Sequence, residues 1–202
     1  MKFLHVGCGP KRKDQTTPVF QKDNWEEITL DINPKCNPDI ISSITDMSMI
    51  EDSTFDAIYS SHNIEHLYMH DAVKAVNEFK RVLKDTGYVL LICPDLESVC
   101  KAVIEKGALT PLYYTDKEKK LYVSPIDILY GWRAAIQNGD YYMAHKSGFT
   151  DKILIELFKQ AGFKKASLKT RPNFYDIHIA AFKGEGLSND YVENILNQHI
   201  IS

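Results

Sequence analysis

Two hydrophobic periods alternate along the first hundred residues of this chain. Residues 2–6 are a short apolar run ending on Gly7, the pattern of a buried strand entering a tight turn. Glu27-Ile-Thr-Leu-Asp-Ile32 is β-branched and closes at Asn33-Pro34, a turn signal, and residues 39–44 and 55–59 predict a third and a fourth strand. From 71 to 83, apolar residues fall at Ala72, Val73, Val76, Phe79, Val82 and Leu83, the spacing of a helix lying on a sheet. Asp85-Thr-Gly87 predicts its stop. Tyr88-Val-Leu-Leu-Ile-Cys93, closed by Pro94, is apolar nearly throughout, as expected of a strand covered on both faces. Residues 95–106 and 150–160 read as helices, the second with Thr150 as its cap. Residues 165–170 and 174–182 read as a terminal strand pair joined at Arg171-Pro-Asn173. Strands alternating with helices predict an α/β domain with a mostly parallel sheet and helices on both faces.

Two regions fall outside this rhythm. Residues 107–149 hold six of the 11 tyrosines, together with Trp132 and Phe149. This insertion reads either as a satellite apolar cluster beneath a long connection or as a lid or acceptor pocket. The tail at about 187–199 reads as one polar, peripheral helix, so that residues 1–202 form a single domain. Composition narrows the function classes. With 24 Lys+Arg against 27 Asp+Glu, the net charge of -3 disfavours electrostatic binding of nucleic acid. The longest apolar run is six residues, where a membrane helix needs about 20. The opening residues are too short an apolar stretch for a secretion signal. Cysteines 8, 36, 93 and 100 lie far apart, which suggests neither a zinc cage nor a disulfide framework. The expectation is a cytoplasmic protein with no nucleic-acid or membrane partner.

Candidate chemistry starts at Gly7-Cys8-Gly9, directly after the first strand. Glycine there permits unusual dihedrals and close approach of a ligand to the main chain. Asp31 closes the second strand, where a carboxylate is placed to accept hydrogen bonds from two ribose hydroxyls. The plainer alternative is a tight turn plus a solvated aspartate. A dinucleotide fingerprint needs a third glycine at the position of Arg12, so that fingerprint is broken. Pro18 and the polar run Lys11-Arg-Lys-Asp-Gln-Thr-Thr17 make a full first helix, with its anion-binding N-terminus, a poor expectation. A ligand without a pyrophosphate suits the segment better. Lys11-Arg12-Lys13 reads as a solvated turn, with a phosphate clamp as the alternative.

At this point several ordered motifs resemble one family. Leu4-His-Val-Gly-Cys-Gly-Pro10, Leu30-Asp31-Ile32 and Ile44-Thr-Asp46-Met47 are similar to the first three motifs of class I S-adenosylmethionine-dependent methyltransferases. Phe55-Asp-Ala-Ile-Tyr-Ser-Ser-His-Asn-Ile-Glu-His66 resembles the pattern "SFDxVxSxxxLEH" of the small-molecule members, the most specific stretch. Glu78-Phe-Lys-Arg-Val-Leu-Lys-Asp-Thr-Gly87 resembles "RVLKPGG", and His145-Lys-Ser-Gly-Phe-Thr150 with Leu157-Phe-Lys-Gln-Ala-Gly-Phe163 resembles the "GFT…LLEEAGF" signature. The resemblance implies a Rossmann-like, seven-stranded sheet whose last strand is antiparallel. It implies S-adenosylmethionine as cofactor, held by Gly7, Cys8, Gly9, Asp31, Ile32, Asp46, Met47, Ser61 and His62. It also implies methyl transfer to a small-molecule acceptor, sugar-like or phosphorylated, since the nearest subgroup is associated with surface polysaccharides.

Methyl transfer to a hydroxyl needs a base. His62, on the loop after the fourth strand, is the first candidate for base or acceptor orienter; His145, where the insertion rejoins the fold, is the second. Each has a plainer reading: His62 as a cofactor contact or turn closure, His145 as a hinge or helix cap. His62-Asn-Ile-Glu65-His66 also matches His-x-x-Glu-His, an inverted zinc-peptidase pattern, with His70 one turn further. It is set aside because it closes a strand whose surroundings resemble methyltransferases, and no metal ligand is expected. A catechol-type magnesium site is not evident either, although Asp95 ends the fifth strand. A non-catalytic cofactor-binding module on the same fold remains the alternative function.

Overall fold

The computed structural model describes residues 1–116, 118 and 120–200. Its strands are β1 (Lys2–Val6), β2 (Glu26–Asp31), β3 (Ile40–Ile41), β4 (Phe55–Ser61) and β5 (Leu83–Pro94), then β6 (Tyr113–Tyr114) and β7 (Tyr122–Val123) within the insertion, and finally β8 (Lys165–Arg171) and β9 (Asp176–Phe182). Seven of them form one sheet in the order β3-β2-β1-β4-β5-β9-β8, while β6 and β7 pair separately as a hairpin. The pairings among β1 to β5 are parallel, and β9 runs antiparallel to both neighbours. This is the Rossmann-like α/β architecture with an antiparallel last strand.

Alternating side chains divide the core between the two faces. Leu4, Val6, Ile58, Val89, Leu91 and Ile179 meet α1 (Met69–Val82) through Ala72, Val76 and Phe79, and α5 (Asp151–Gln160) through Leu154 and Phe158. Thr150 caps α5 by accepting from the Ile153 N–H. Between α1 and α5 lie α2 (Leu96–Lys106), α3 (Pro125–Tyr130) and α4 (Arg133–Gln137). Phe3, Tyr59, Tyr88, Leu90 and Phe182 face the other way, against Phe20, Trp25, Val192 and Leu196. Among the described residues, no helix is long and apolar enough to cross a membrane.

That second face lacks a full first helix, as the sequence led one to expect, but differs from the expectation in what covers the ground left by it. The segment between β1 and β2 holds a single 3-10 turn, Lys13–Gln15, in place of a first helix. The vacated ground is taken by Phe20, stacked on Phe3 at 4.4 Å, and by the tail helix α6 (Asn189–His199). Val192, Leu196 and His199 of α6 are buried, and His199 is bonded to Thr17 Oγ1 at 2.7 Å and to the Tyr88 hydroxyl at 2.8 Å. The helix expected at the periphery is therefore a layer of the fold. The edge strand β3 is also shorter than the predicted 39–44. Asp39 turns its carboxylate back to the Thr29 N–H and hydroxyl, and Ser42 to Thr45 satisfy themselves locally; short edges resist strand addition. The helix over α1 stops at Val82 rather than at Asp85-Thr-Gly87, because β5 starts at once and carries those residues in an irregularity opposite Phe55 and Ala57.

Candidate functional site

Strand order reverses between β1 and β4, where the carboxyl ends of an open α/β sheet leave a crevice. A cleft of about 300 Å³ lies there, at the lower end of the range for small-molecule sites. Its floor is Gly7, Gly9 and Asp31. Ile32, Ser43, Ile44 and Leu67 form apolar and small-polar walls. The loop after β4 contributes His62, Asn63 and His66, and the end of the insertion contributes Asp140, Tyr142, Met143 and Lys146.

The floor is built by main-chain geometry. Gly7 stands at φ +58°, and its N–H donates to the Leu30 carbonyl at 2.8 Å, drawing the loop over β2. A Cβ on Gly7 would lie 2.2 Å from Asn63 Cγ, whereas one on Gly9, at φ +53°, would meet nothing within 4 Å. Gly7 is thus required by packing, and Gly9 leaves open ground above the loop. The Gly9 N–H donates to Asp31 Oδ2 and the Asn33 N–H to Asp31 Oδ1, both at 2.8 Å. A carboxylate has about four lone-pair sites, so this one is fixed in place and still able to accept from a ligand. Arg12 braces the loop from the side, donating to the carbonyls of Gly9 at 3.1 Å, Cys36 at 2.7 Å and Asn37 at 2.9 Å. It is neither a solvated turn residue nor a phosphate clamp. No single-sequence signal marks it.

The structure brings Gly7, Gly9, Asp31, Ile32 and His62 to one cleft. Cys8 lies buried between the two glycines, with Sγ 3.3 Å from the Gly9 carbonyl. Burial first, then the Asp31 charge, push its thiol up to about 11, which keeps it an uncharged packing group. Asp46 and Met47 are not brought to the cleft. Asp46 is exposed and accepts from the Ser48 N–H at 3.1 Å, while Met47 is fully buried and donates its N–H to Glu78 at 2.7 Å. The wall they were expected to supply is made by Ser42, Ser43 and Ile44, because β3 ends early. Ser61 closes β4 outside the lining of the cleft. Asn63 and Lys146 do line it and were not singled out from sequence, although Asn63 sits inside the quoted Ser-Ser-His-Asn stretch.

His62 is held at φ +51°, its N–H donating to the Ile92 carbonyl at 2.8 Å, with half of its side chain exposed to the cleft. Its Nδ1 stands 3.5 Å from Glu65 Oε1. Burial alone would raise the Glu65 pKa, but the His62 contact and the nearby His66 hold it below the usual carboxylate value. His145 is turned from the cleft. Its Nδ1 is bonded to the Ile128 carbonyl at 2.8 Å, and its ring packs edge-on against His66 at 4.8 Å. Burial holds its pKa below the ordinary histidine value. His62-x-x-Glu65-His66 spans a strand end and a 3-10 turn, Ile64–His66, rather than the helix a peptidase of that pattern uses. Asp95 caps α2 by accepting from the Glu97 N–H at 3.2 Å, which explains its place at the end of β5.

Comparisons with known proteins bear on this arrangement. The family described as "Methyltransferase domain" matches residues 4–91, which carry the glycine loop, Asp31 and the His62 loop. No curated protein matches the chain. Among solved structures, a protein from Pyrococcus horikoshii OT3 is 16% identical, with 90% of this chain and 81% of that one covered at a TM-score of 0.60. A SAM-dependent methyltransferase from Archaeoglobus fulgidus is 14% identical, with coverages of 89% and 85% and a TM-score of 0.56. The 1,6-didemethyltoxoflavin-N1-methyltransferase of Burkholderia thailandensis, solved with 1,6-didemethyltoxoflavin and S-adenosylhomocysteine, is 12% identical, with coverages of 91% and 71% and a TM-score of 0.54. At these identities the likeness is one of fold. The cleft itself fits the family's cofactor: Asp31 for ribose hydroxyls, Ile32 and Ile44 for a flat base, and open ground over Gly9 for an amino-acid tail. Its Asn63 Nδ2 is a buried donor with no partner among the described residues. The methyltransferase-domain match over residues 4–91, on a fold shared with S-adenosylmethionine-dependent methyltransferases, supports S-adenosylmethionine as the cofactor of this cleft.

Proposed function

We propose that this chain transfers the cofactor's methyl group to a small-molecule acceptor, sugar-like or phosphorylated, with His62 as the base or orienting group. The observation that carries the proposal is the shared cleft, which sets the Gly9-anchored carboxylate of Asp31 and the half-exposed imidazole of His62 around one space. When bound, S-adenosylmethionine supplies an electrophilic methyl on a sulfonium whose departure leaves a neutral thioether.

The chain's own residues do the rest. Asp31 accepts ribose hydroxyls with the lone pairs its two main-chain donors leave free. Asp140, Tyr142, Met143 and Lys146 wall off the far side, and positioning of this kind offsets roughly 7–11 kcal/mol of barrier. Glu65, 3.5 Å from His62 Nδ1, favours the tautomer with the proton on that nitrogen, leaving Nε2 to take a proton from an acceptor hydroxyl. Lys146, its Nζ 5.4 Å from the Tyr68 ring centre, adds a cation at the rim for a phosphorylated acceptor, and Tyr142 a flat surface for a sugar ring. The net charge of -3 favours such an acceptor over a nucleic acid.

Turnover of methyl-labelled cofactor against a panel of sugars, sugar phosphates and phenols tests the reading. Transfer by the wild type is expected, and His62→Ala should lower kcat by about 10²–10⁴ for a hydroxyl acceptor while cofactor affinity changes only a few-fold. Tight cofactor binding with no transfer across the panel would instead favour a non-catalytic binding module.

A further inference from the structure

Behind the cleft, the loop after β4 and the end of the insertion bring together three side chains, of which the methyl-transfer reading uses Glu65 alone, to orient His62. Glu65, His66 and His145 each offer a ligand atom, all within 4.8 Å of one another. Glu65 is only 1% exposed, and neither of its carboxylate oxygens has a hydrogen-bond partner among the described residues. Its ion-pair neighbour is His62 Nδ1, at 3.5 Å. A carboxylate taken out of water without donors is unfavourable unless a positive charge compensates it.

The two imidazoles are set up to supply lone pairs. His66 Nδ1 lies 3.2 Å from the Ala144 carbonyl and His145 Nδ1 2.8 Å from the Ile128 carbonyl. A carbonyl only accepts, so Nδ1 carries the proton in both rings and Nε2 keeps its lone pair. This is how proteins orient metal-bound histidines, with one ring nitrogen tied to a main-chain carbonyl and the other left for the ion. The main chain around the cluster is fastened as well: the N–H groups of Lys146 and Ser147 both donate to the Glu65 carbonyl, at 2.8 and 3.2 Å. Beside the cluster is a space of about 20 Å³ lined by Glu65, His145 and Ser147, room for one water or ion. Ser147 Oγ, also buried, has no partner among the described residues.

We propose that Glu65, His66 and His145 form a binding site for a first-row divalent transition cation of the zinc or cobalt(II) type. Two imidazole nitrogens and one carboxylate suit such ions, whereas magnesium and calcium favour all-oxygen sets. Metal–ligand bonds of about 2.0–2.2 Å at tetrahedral angles set ligand atoms roughly 3.3–3.6 Å apart, so a pair at the 4.8 Å limit closes by about an ångström or slightly more on binding. The ion's remaining position is open, as in three-ligand sites generally. Binding here clips the insertion to the loop after β4; it shares Glu65 with the methyl-transfer reading, in which the same carboxylate sets the His62 tautomer, but it rests on a separate cluster of side chains. It also differs from the peptidase pattern, because Glu65 serves as a ligand and His145, distant in sequence, replaces His62.

The test uses the full chain, purified without a histidine tag and stripped by a chelator. Calorimetry and elemental analysis after dialysis should give one equivalent of zinc or cobalt(II) per chain and none of magnesium at the same concentration. Zinc in excess should raise Tm by several degrees, since an ion that binds only the folded chain stabilises it by mass action. Glu65→Gln and His145→Gln should each weaken zinc binding by more than the roughly 10–100-fold typical of losing an outer-sphere partner, with S-adenosylmethionine affinity reporting that the variants are folded. Absence of stoichiometric zinc or cobalt in the wild type overturns the proposal and leaves a buried water as the partner of Glu65. Unchanged zinc affinity in folded variants overturns it equally, placing the ion elsewhere.

Discussion

Gly7 and Asn63 are matched to each other across the floor of the cleft. The first has no Cβ, and the second occupies the space a Cβ would need, 2.2 Å away. Gly7→Ala should therefore lose more stability than Gly9→Ala. Both place alanine at positive φ, which costs about 1–2 kcal/mol, but only the first also displaces Asn63. Urea titration of the two variants checks the order, and equal losses would show that the Asn63 contact carries no weight. At this scale the sequence was legible where a residue's role follows from chain position: two glycines after a strand, an acid at the tip of the next, a histidine after the fourth. It was not legible where the role depends on what folds back. Arg12 reads as part of a basic run yet ties three carbonyls together. Asp46 and Met47 match a family motif, but the early end of β3 takes them out of the cleft. His145 falls where the insertion rejoins the fold, and its ring turns toward His66 instead of the cofactor space.

Among the elements, α6 has the clearest consequence for stability. A neutral His199 is clamped between the hydroxyls of Thr17 and Tyr88, and burial first of all pulls its pKa down to about 3. Unfolded, the same histidine titrates near 6.5. The unfolded chain thus binds the extra proton between those values. This contribution to stability is complete above about pH 6.5 and is lost as pH falls toward 3, at up to about 1.4 kcal/mol per unit. Denaturant titrations between pH 7 and 4.5 should show this slope in the wild type and a shallower one in His199→Gln, which keeps hydrogen-bonding capacity without titrating. Parallel slopes would mean that His199 is not what the proton opposes. The strands β1, β2, β4, β5, β8 and β9 and the helices α1, α2 and α5 were readable because their periods match the surfaces they cover. The docking of α6 was not: its few apolar positions gain meaning only because no helix forms between β1 and β2, leaving a face to be covered from far along the chain.

For the whole molecule, the insertion links the cofactor cleft to the rest of the surface. Asp140, Tyr142, Met143 and Lys146 line the cleft, whereas the β6–β7 hairpin lies outside that lining. Cofactor binding should accordingly slow amide hydrogen exchange in residues 140–146 and leave the hairpin unaffected; uniform protection, or none, would separate the insertion from the site. Of the two sequence readings of this segment, lid and satellite cluster, the structure gives its last residues a place in the cleft wall. The hairpin tyrosines Tyr113 and Tyr114 stay exposed. Composition had no means of dividing the segment in this way, because aromatic residues run through both halves. The central claim is that the Asp31–Gly9 floor holds S-adenosylmethionine. Isothermal calorimetry tests it most directly, with wild-type protein beside Asp31→Ala. One cofactor per chain is expected, with affinity at least about tenfold weaker in the variant, as losing hydrogen bonds to a charged acceptor implies. No binding by the wild type, or equal binding by a folded Asp31→Ala, would contradict it.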